Sequence, residues 1–228
     1  MIHKIKKISG DASFRDYYRI RKNKKTSIIV FAKKEKFKNL IVYNVINNIL
    51  NNNQILAPRL INFFYQDNMM EITDLGDRSF FIYIKNKKNK FKDYKKLIDL
   101  ILKLQKIKIK KSYNFRKNKI KLNKYSLSHL HKETDLFFDW YLKHVLKNKN
   151  LTKIKKILQN ELNFIFKKIY FKNNYFVHRD FHASNIMIKK KRLSLIDSQD
   201  AIIGNPLYDV ASLIDDVRIK LPKKLQDD

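Results

Sequence analysis

The sequence predicts an α+β fold of two lobes, β-rich at the N-terminal end and mainly helical at the C-terminal end, from three observations. Apolar residues before Glu71 fall largely at the period of two that a strand requires, with one helical stretch among them. Past Thr73-Asp74-Leu75-Gly76-Asp77 the spacing becomes i, i+3, i+4, i+7. No internal repeat and no Pro/Gly/Ser-rich linker separates the halves. With 228 residues the chain fits one large domain or two small lobes. The expected division is 1–73 and 74–228.

The elements follow in order. Phe14, Asp16, Tyr18 and Ile20 alternate with Arg15, Tyr17, Arg19 and Arg21, which predicts a strand entered through the turn Gly10-Asp11-Ala12-Ser13. The β-branched apolar run from Ser27 to Phe31 predicts the next. Phe37, Leu40, Ile41, Val45 and Ile49 recur at helical spacing. Phe63-Phe64-Tyr65 and Met69-Met70-Glu71-Ile72 flank Gln66-Asp67-Asn68 as a hairpin. Leu97, Leu100, Ile101 and Leu104 form a helical stripe, and residues 106–124 are a lysine-rich connector. Helices are expected over 127–146, 151–170 and 208–219, the last closed by Pro222. Between them, Ile186-Met187-Ile188 and Leu193-Ser194-Leu195-Ile196 make a second hairpin turning at Lys189 to Arg192.

Composition excludes several classes. There is no cysteine, so disulfides, cysteine-zinc sites and thiol nucleophiles are ruled out. No apolar run reaches the ~18–20 residues of a membrane span. The Met1–Lys7 stretch lacks the apolar segment of a secretory signal, so a cytoplasmic protein without a membrane partner is expected. The net charge of +30 would ordinarily suggest nucleic acid. However, arginine accounts for only nine of the 51 cations, and the scattered lysines travel with asparagine and isoleucine. Codon drift explains that skew, and a nucleic-acid partner is not expected. Glycine occurs three times, at Gly10, Gly76 and Gly204, so each is expected to mark a turn the fold requires.

The segment richest in chemistry is Val177-His178-Arg179-Asp180-Phe181-His182-Ala183-Ser184-Asn185, followed by Leu193-Ser194-Leu195-Ile196-Asp197. A hairpin between Asn185 and Asp197 folds the aspartate back beside the asparagine. One amide oxygen and two carboxylates then converge, a hard-oxygen set suited to Mg²⁺ together with water and phosphate oxygens. The carboxylate left over can accept the proton of an attacking hydroxyl, as in phosphoryl transfer. The His-x-Asp-x-His run could instead ligate a hydrolase metal, but His3, His129, His131 and His144 show no arrangement that would complete such a set.

The stretch His178 to Asn185 with Ile196-Asp197-Ser198-Gln199-Asp200-Ala201 resembles the aminoglycoside phosphotransferase and choline kinase superfamily. Gly10-Asp11-Ala12-Ser13-Phe14-Arg15-Asp16-Tyr17-Tyr18-Arg19, Thr73 to Arg78 and Pro206 to Leu213 resemble its anomeric sugar kinases, which act on N-acetylmuramate and N-acetylglucosamine in cell-wall recycling. The resemblance implies a protein-kinase-like fold, ATP and Mg²⁺ as cofactors, and a small-molecule sugar as substrate, with a monomer expected. It implies Asp180 as catalytic base, with Asn185 and Asp197 as metal ligands. Gly10, Asp11, Ala12, Ser13 and Phe14 would cover the phosphates, and Glu71 to Thr73 would be the hinge that meets adenine. His182 would order the loop near substrate, Asp209 would brace it, and Glu133, Asp135 and Trp140 are candidates to face the sugar.

Two departures accompany the resemblance. The superfamily's strand lysine and its helix glutamate are missing: the strand reads Ser27 to Ala32 with Lys33 and Lys34 only beyond it, and helix 37–50 has no acidic residue. The family also continues with further helices, so the chain is expected to be C-terminally short, with an acceptor site that lacks one wall. With 21 acidic against 51 basic residues, a neutral or anionic sugar suits the expected field better than a polycation. Another kinase of the superfamily, or a basic pseudokinase that binds nucleic acid, is the rival expectation.

Overall fold

The computed structural model describes residues 4–8, 15–23, 25–33, 38–64, 66–146, 150–168 and 173–227. Its N-terminal part is a five-stranded antiparallel sheet in the order β1-β2-β3-β5-β4. The strands are β1 (Lys4–Ile8), β2 (Arg15–Lys22), β3 (Lys25–Ala32), β4 (Leu60–Phe64) and β5 (Met69–Thr73). The alternation in β2 has a direct outcome. Arg15, Tyr17 and Arg19 share one face and stand in register opposite Ala32, Val30 and Ile28 of β3.

Helix α1 (Lys38–Asn52) is buried almost all the way round. Its first half supplies Leu40 and Tyr43 to a cluster with Val30, Ala32, Met70 and Ile72 of the sheet. Its second half supplies Val45, Ile46, Ile49 and Leu50 to the main core, with α2 (Phe80–Ile84) and α3 (Phe91–Gln105). One helix thus serves both cores.

The second part holds α4 (Leu127–Leu136), a π-helical stretch Phe137–Leu142, α5 (Lys143–Leu146) and α6 (Leu151–Lys168). The stretch expected as one helix over 127–146 is helical throughout and widens to π-helix at its centre, with Phe138 and Leu142 buried and Trp140 77% exposed. The expected connector 106–124 contains a small hairpin, β6 (Tyr113–Phe115) and β7 (Asn118–Ile120), turned through Arg116 at φ 51°. Strands β8 (Tyr175–Val177), β9 (Ile186–Lys189), β10 (Arg192–Leu195) and β11 (Ile202–Gly204) follow.

The helix expected to run to Ile219 stops early. α7 covers Tyr208–Ile214, because Asp216 turns its carboxylate inward onto the Ala183 and Arg218 N–H groups, and Ile219 and Leu221 enter the core. Pro222 closes nothing; it leads into α8 (Lys223–Asp227), where its carbonyl accepts from Leu225 and Gln226. No helix among the described residues is long and apolar enough to cross a membrane.

Candidate active site

Pairing of β8 with β11 pins both ends of the segment that carries the predicted chemistry. Between them, β9 and β10 pair with Leu195 opposite Ile186, and Ile196 N–H donates to the Asn185 carbonyl at 3.0 Å. This returns Asp197 beside Asn185, as the hairpin spacing predicts. Besides Lys190 and Lys191 in the β9–β10 turn, Arg179 at φ 70° and Asp197 at φ 60° hold left-handed backbone in this segment. Such conformations persist only where surrounding contacts over-determine them, and they concentrate at functional sites.

Those contacts are present. The buried Asp209 carboxylate accepts from His178 N–H at 2.8 Å and Arg179 N–H at 3.0 Å, so it braces the loop as expected. Burial pushes its pKa up to about 7 against the opposing pull of those two bonds. Asp216 holds the next turn through Ala183 N–H at 3.1 Å. His178 is completely buried, and burial lowers its pKa to about 4, so the ring is neutral near pH 7.

Asp180 is fixed from both sides. His182 Nε2 stands 3.0 Å from its Oδ1, and the Asn185 amide donates to its Oδ2 at 2.7 Å and to its carbonyl at 3.1 Å. The bond from His182 leads the effects that hold Asp180 below the ordinary carboxylate range, so it is ionised at neutral pH. With its amide nitrogen turned onto Asp180 and 3.1 Å from His182 Nε2, Asn185 has its side-chain oxygen left to face a ligand. Burial pushes the Asp197 carboxyl upward, and the Arg15 guanidinium opposes this. Arg15 reaches Asp197 Oδ1 at 2.9 Å and Gln199 Oε1 at 2.7 Å, from strand β2 at the other end of the chain.

These residues form the polar end of a cleft of about 410 Å³, lined by Asp180, His182, Asn185 and Asp197. Apolar Ile8, Ile28, Ile72 and Met187 line it as well, together with the segment Thr73 to Asp77. Apolar walls combined with a polar end suit a flat heterocycle that carries an anionic tail.

Glu71 lies on strand β5, and its carboxylate accepts from Ser27 Oγ at 2.5 Å and Asn62 Nδ2 at 2.8 Å. Thr73 lines the cleft, but its N–H is bonded to the Arg59 carbonyl at 2.9 Å. Asp74 stabilises the segment that follows by accepting from Gly76 N–H at 2.9 Å and pairing with Arg19 at 2.7 Å. Gly76 itself has φ +89°, which explains a glycine there.

Glu133, Asp135 and Trp140 are not among the residues that line this cleft. Both Glu133 oxygens are engaged, one by Tyr125 Oη at 2.7 Å and the other by Arg179 at 3.0 Å and Tyr208 at 3.3 Å. Glu133 therefore ties α4 to the loop that carries Asp180. Gly10, Asp11, Ala12, Ser13 and Phe14 lie outside the described residues. The residues that sequence reasoning missed are Arg15, Gln199 and Asp216. The available signal was the placement of Arg15 and Arg19, two of only nine arginines, on one face of β2.

Comparison with solved structures shows that this is the fold of the aminoglycoside phosphotransferases and choline kinases, protein-kinase-like with a β-sheet N-terminal part and helices beyond it. The chain aligns with the ADP-bound aminoglycoside phosphotransferase APH(2'')-Ib at TM-score 0.63 and 21% identity, covering 99% of this chain and 75% of that one. It aligns with the choline kinase LicA from Streptococcus pneumoniae at TM-score 0.62 and 14% identity, covering 99% and 73%. The model of the phosphotransferase enzyme family matches residues 4–228, and the chain belongs to that family. Among curated relatives it is 24% identical over 219 residues to an N-acetylmuramate/N-acetylglucosamine kinase of Pseudomonas aeruginosa, and 24% identical over 215 residues to one of Pseudomonas putida. In each case 94% of this chain is covered, and it spans 60% of the relative's length.

Proposed function

We propose that this chain transfers the γ-phosphoryl group of ATP to a hydroxyl of a small molecule, a neutral or anionic amino sugar at its anomeric carbon. The observation that carries the reading is the convergence of an ionised Asp180, the Asn185 side-chain oxygen and Asp197 in a cleft that apolar side chains also line. The acceptor hydroxyl oxygen forms the new bond to phosphorus, the bond to the ADP oxygen breaks, and the hydroxyl proton passes to the Asp180 carboxylate. His182 and Asn185 hold that carboxylate in one orientation and leave it lone pairs for the proton of the hydroxyl.

A magnesium ion fits the donors present. One amide oxygen and one carboxylate are hard ligands, and magnesium completes its shell with water and phosphate oxygens. Asn185 and Asp197 would hold it, and it would supply neutralisation of phosphate charge. The segment Gly10 to Phe14 is proposed to cover the phosphates, and the backbone of Thr73 to Gly76 to meet the base. The sugar assignment is supported by the names of the Pseudomonas relatives and by the excess of cations, which disfavours a polycationic acceptor.

The test is ADP release over a panel of N-acetylmuramate, N-acetylglucosamine, choline and kanamycin. Turnover of one or both amino sugars is expected, and turnover of kanamycin or choline alone would overturn the acceptor class. Asp180→Asn should lower kcat by about 10²–10⁴-fold, since it removes the base and keeps the shape. Its ADP affinity should be unchanged, and retention of full activity would remove Asp180 from the reaction.

A further inference from the structure

On the cleft side, β3 presents Ile28, Val30 and Ala32 and no cation, and Lys33 beyond it is exposed. Helix α1 has no acidic residue to hold one. The cation that the polar end requires comes from the neighbouring strand. Arg15 of β2 stands in register with Ala32, on the same face. Its side chain is only 8% exposed, rests over the Tyr43 ring of α1 at 5.6 Å, and forks onto Asp197 and Gln199.

We infer that Arg15 is the positioning residue for the metal-binding carboxylate: it fixes Asp197 by one oxygen and couples the sheet to metal-nucleotide binding. This rests on the kinase reading of the site. A half-buried carboxylate on left-handed backbone needs a partner that sets its rotamer. Arg15 does so, since a guanidinium is a planar fork that stays charged at any pH the protein meets. It engages Oδ1, and a hydrogen bond from Gln199 helps hold the same carboxylate. The contact spans 182 residues of sequence, so it also ties strand β2 to the segment after β10. Tyr43 and Gln199 help to align the guanidinium. Asn47 of α1 adds a neutral link, accepting from Ser198 Oγ at 2.8 Å in a fully buried contact beside Asp197.

The arrangement separates two kinds of binding. The apolar lining of the cleft, Ile8, Ile28 and Ile72 with the segment after Thr73, does not depend on Arg15. The metal and phosphate end does. Loss of Arg15 should therefore weaken a metal-nucleotide complex and leave binding of the bare nucleoside alone.

The experiment uses the full chain and its Arg15→Ala, Arg15→Lys and Gln199→Ala variants. Bound Mn²⁺ is read by electron paramagnetic resonance in the presence of ADP, and adenosine affinity by calorimetry. Arg15→Ala should weaken Mn·ADP binding by about 10–100-fold, the range for a lost hydrogen bond between charged groups. Its adenosine affinity should stay within about twofold of wild type. Arg15→Lys should recover part of the loss, because a lysine can meet Asp197 but cannot fork to Gln199. Gln199→Ala should show a smaller loss of the same kind. Should Arg15→Ala not fold, Arg15→Lys and Gln199→Ala carry the test, and wild-type Mn·ADP affinity in both overturns the inference. Equal losses for Mn·ADP and adenosine would also overturn it, since they would mean a collapsed cleft. A wild-type chain that binds Mn·ADP but phosphorylates no acceptor would sink the catalytic reading and leave this inference to the variants. A wild-type chain that binds no Mn·ADP would overturn both.

Discussion

Single residues decide whether the loop around Asp180 holds its shape, and Asp209 is the clearest case. Replacing it by alanine leaves the His178 and Arg179 N–H groups buried without acceptors, at a cost of about 1–3 kcal/mol each. Urea denaturation of Asp209→Ala should show a loss of about 2–5 kcal/mol. The titration of Asp209 carries a definite sign. Its pKa is raised to about 7 in the fold, so the unfolded chain loses the proton first as pH rises. Its contribution to stability is complete below the ordinary carboxylate range and is lost as pH climbs towards 7. The melting temperature should fall over that window in wild type, and that component of the slope should vanish in Asp209→Asn. Gly76→Ala belongs to the same scale. Nothing lies within 4 Å of the added carbon, so the expected loss of about 1–2 kcal/mol is backbone strain alone.

Among elements, the contact between α1 and the turn after Asp197 is the informative one. Asn47 and Ser198 are both buried and hydrogen-bonded, so a double-mutant cycle with Asn47→Ala and Ser198→Ala should return a coupling of about 1 kcal/mol. A value near zero would mean that packing alone joins these elements. This scale also shows what was legible in the sequence. β2, β3, α1, α3 and the β9–β10 hairpin follow from periodicity, because each is long enough, or tightly enough turned, to impose its own pattern. Strands β6, β7, β8 and β11 have three residues each, too few for alternation to register, and β11 pairs with β8 across the whole site. α7 ends early for a tertiary reason, since Asp216 is needed against Ala183. The loop chemistry at Asp180, Asn185 and Asp197 was readable because a short hairpin brings it together. For Arg15 the arginine pair on one face of β2 was the only signal, and it does not name a partner 182 residues away.

At the scale of the whole molecule, charge outweighs every other surface property. A net charge of +30 on 228 residues is self-repulsive, and few acidic residues offset it. Moderate salt should therefore raise the melting temperature by screening that repulsion, and a fall would show that the ion pairs at Asp74, Asp93 and Asp197 outweigh it. The helix shared between the two cores has a consequence of another kind. Leu40 and Tyr43 are packed into one cluster while Ile46 and Leu50, only two turns on, are packed into the other. Neither half can open without stripping a face of the same helix. The two halves should therefore melt as one cooperative unit, with calorimetric and van't Hoff enthalpies in agreement. A fragment cut after Thr73 would carry α1 with half its surface bare, and should be recovered as aggregate rather than as a free-standing sheet.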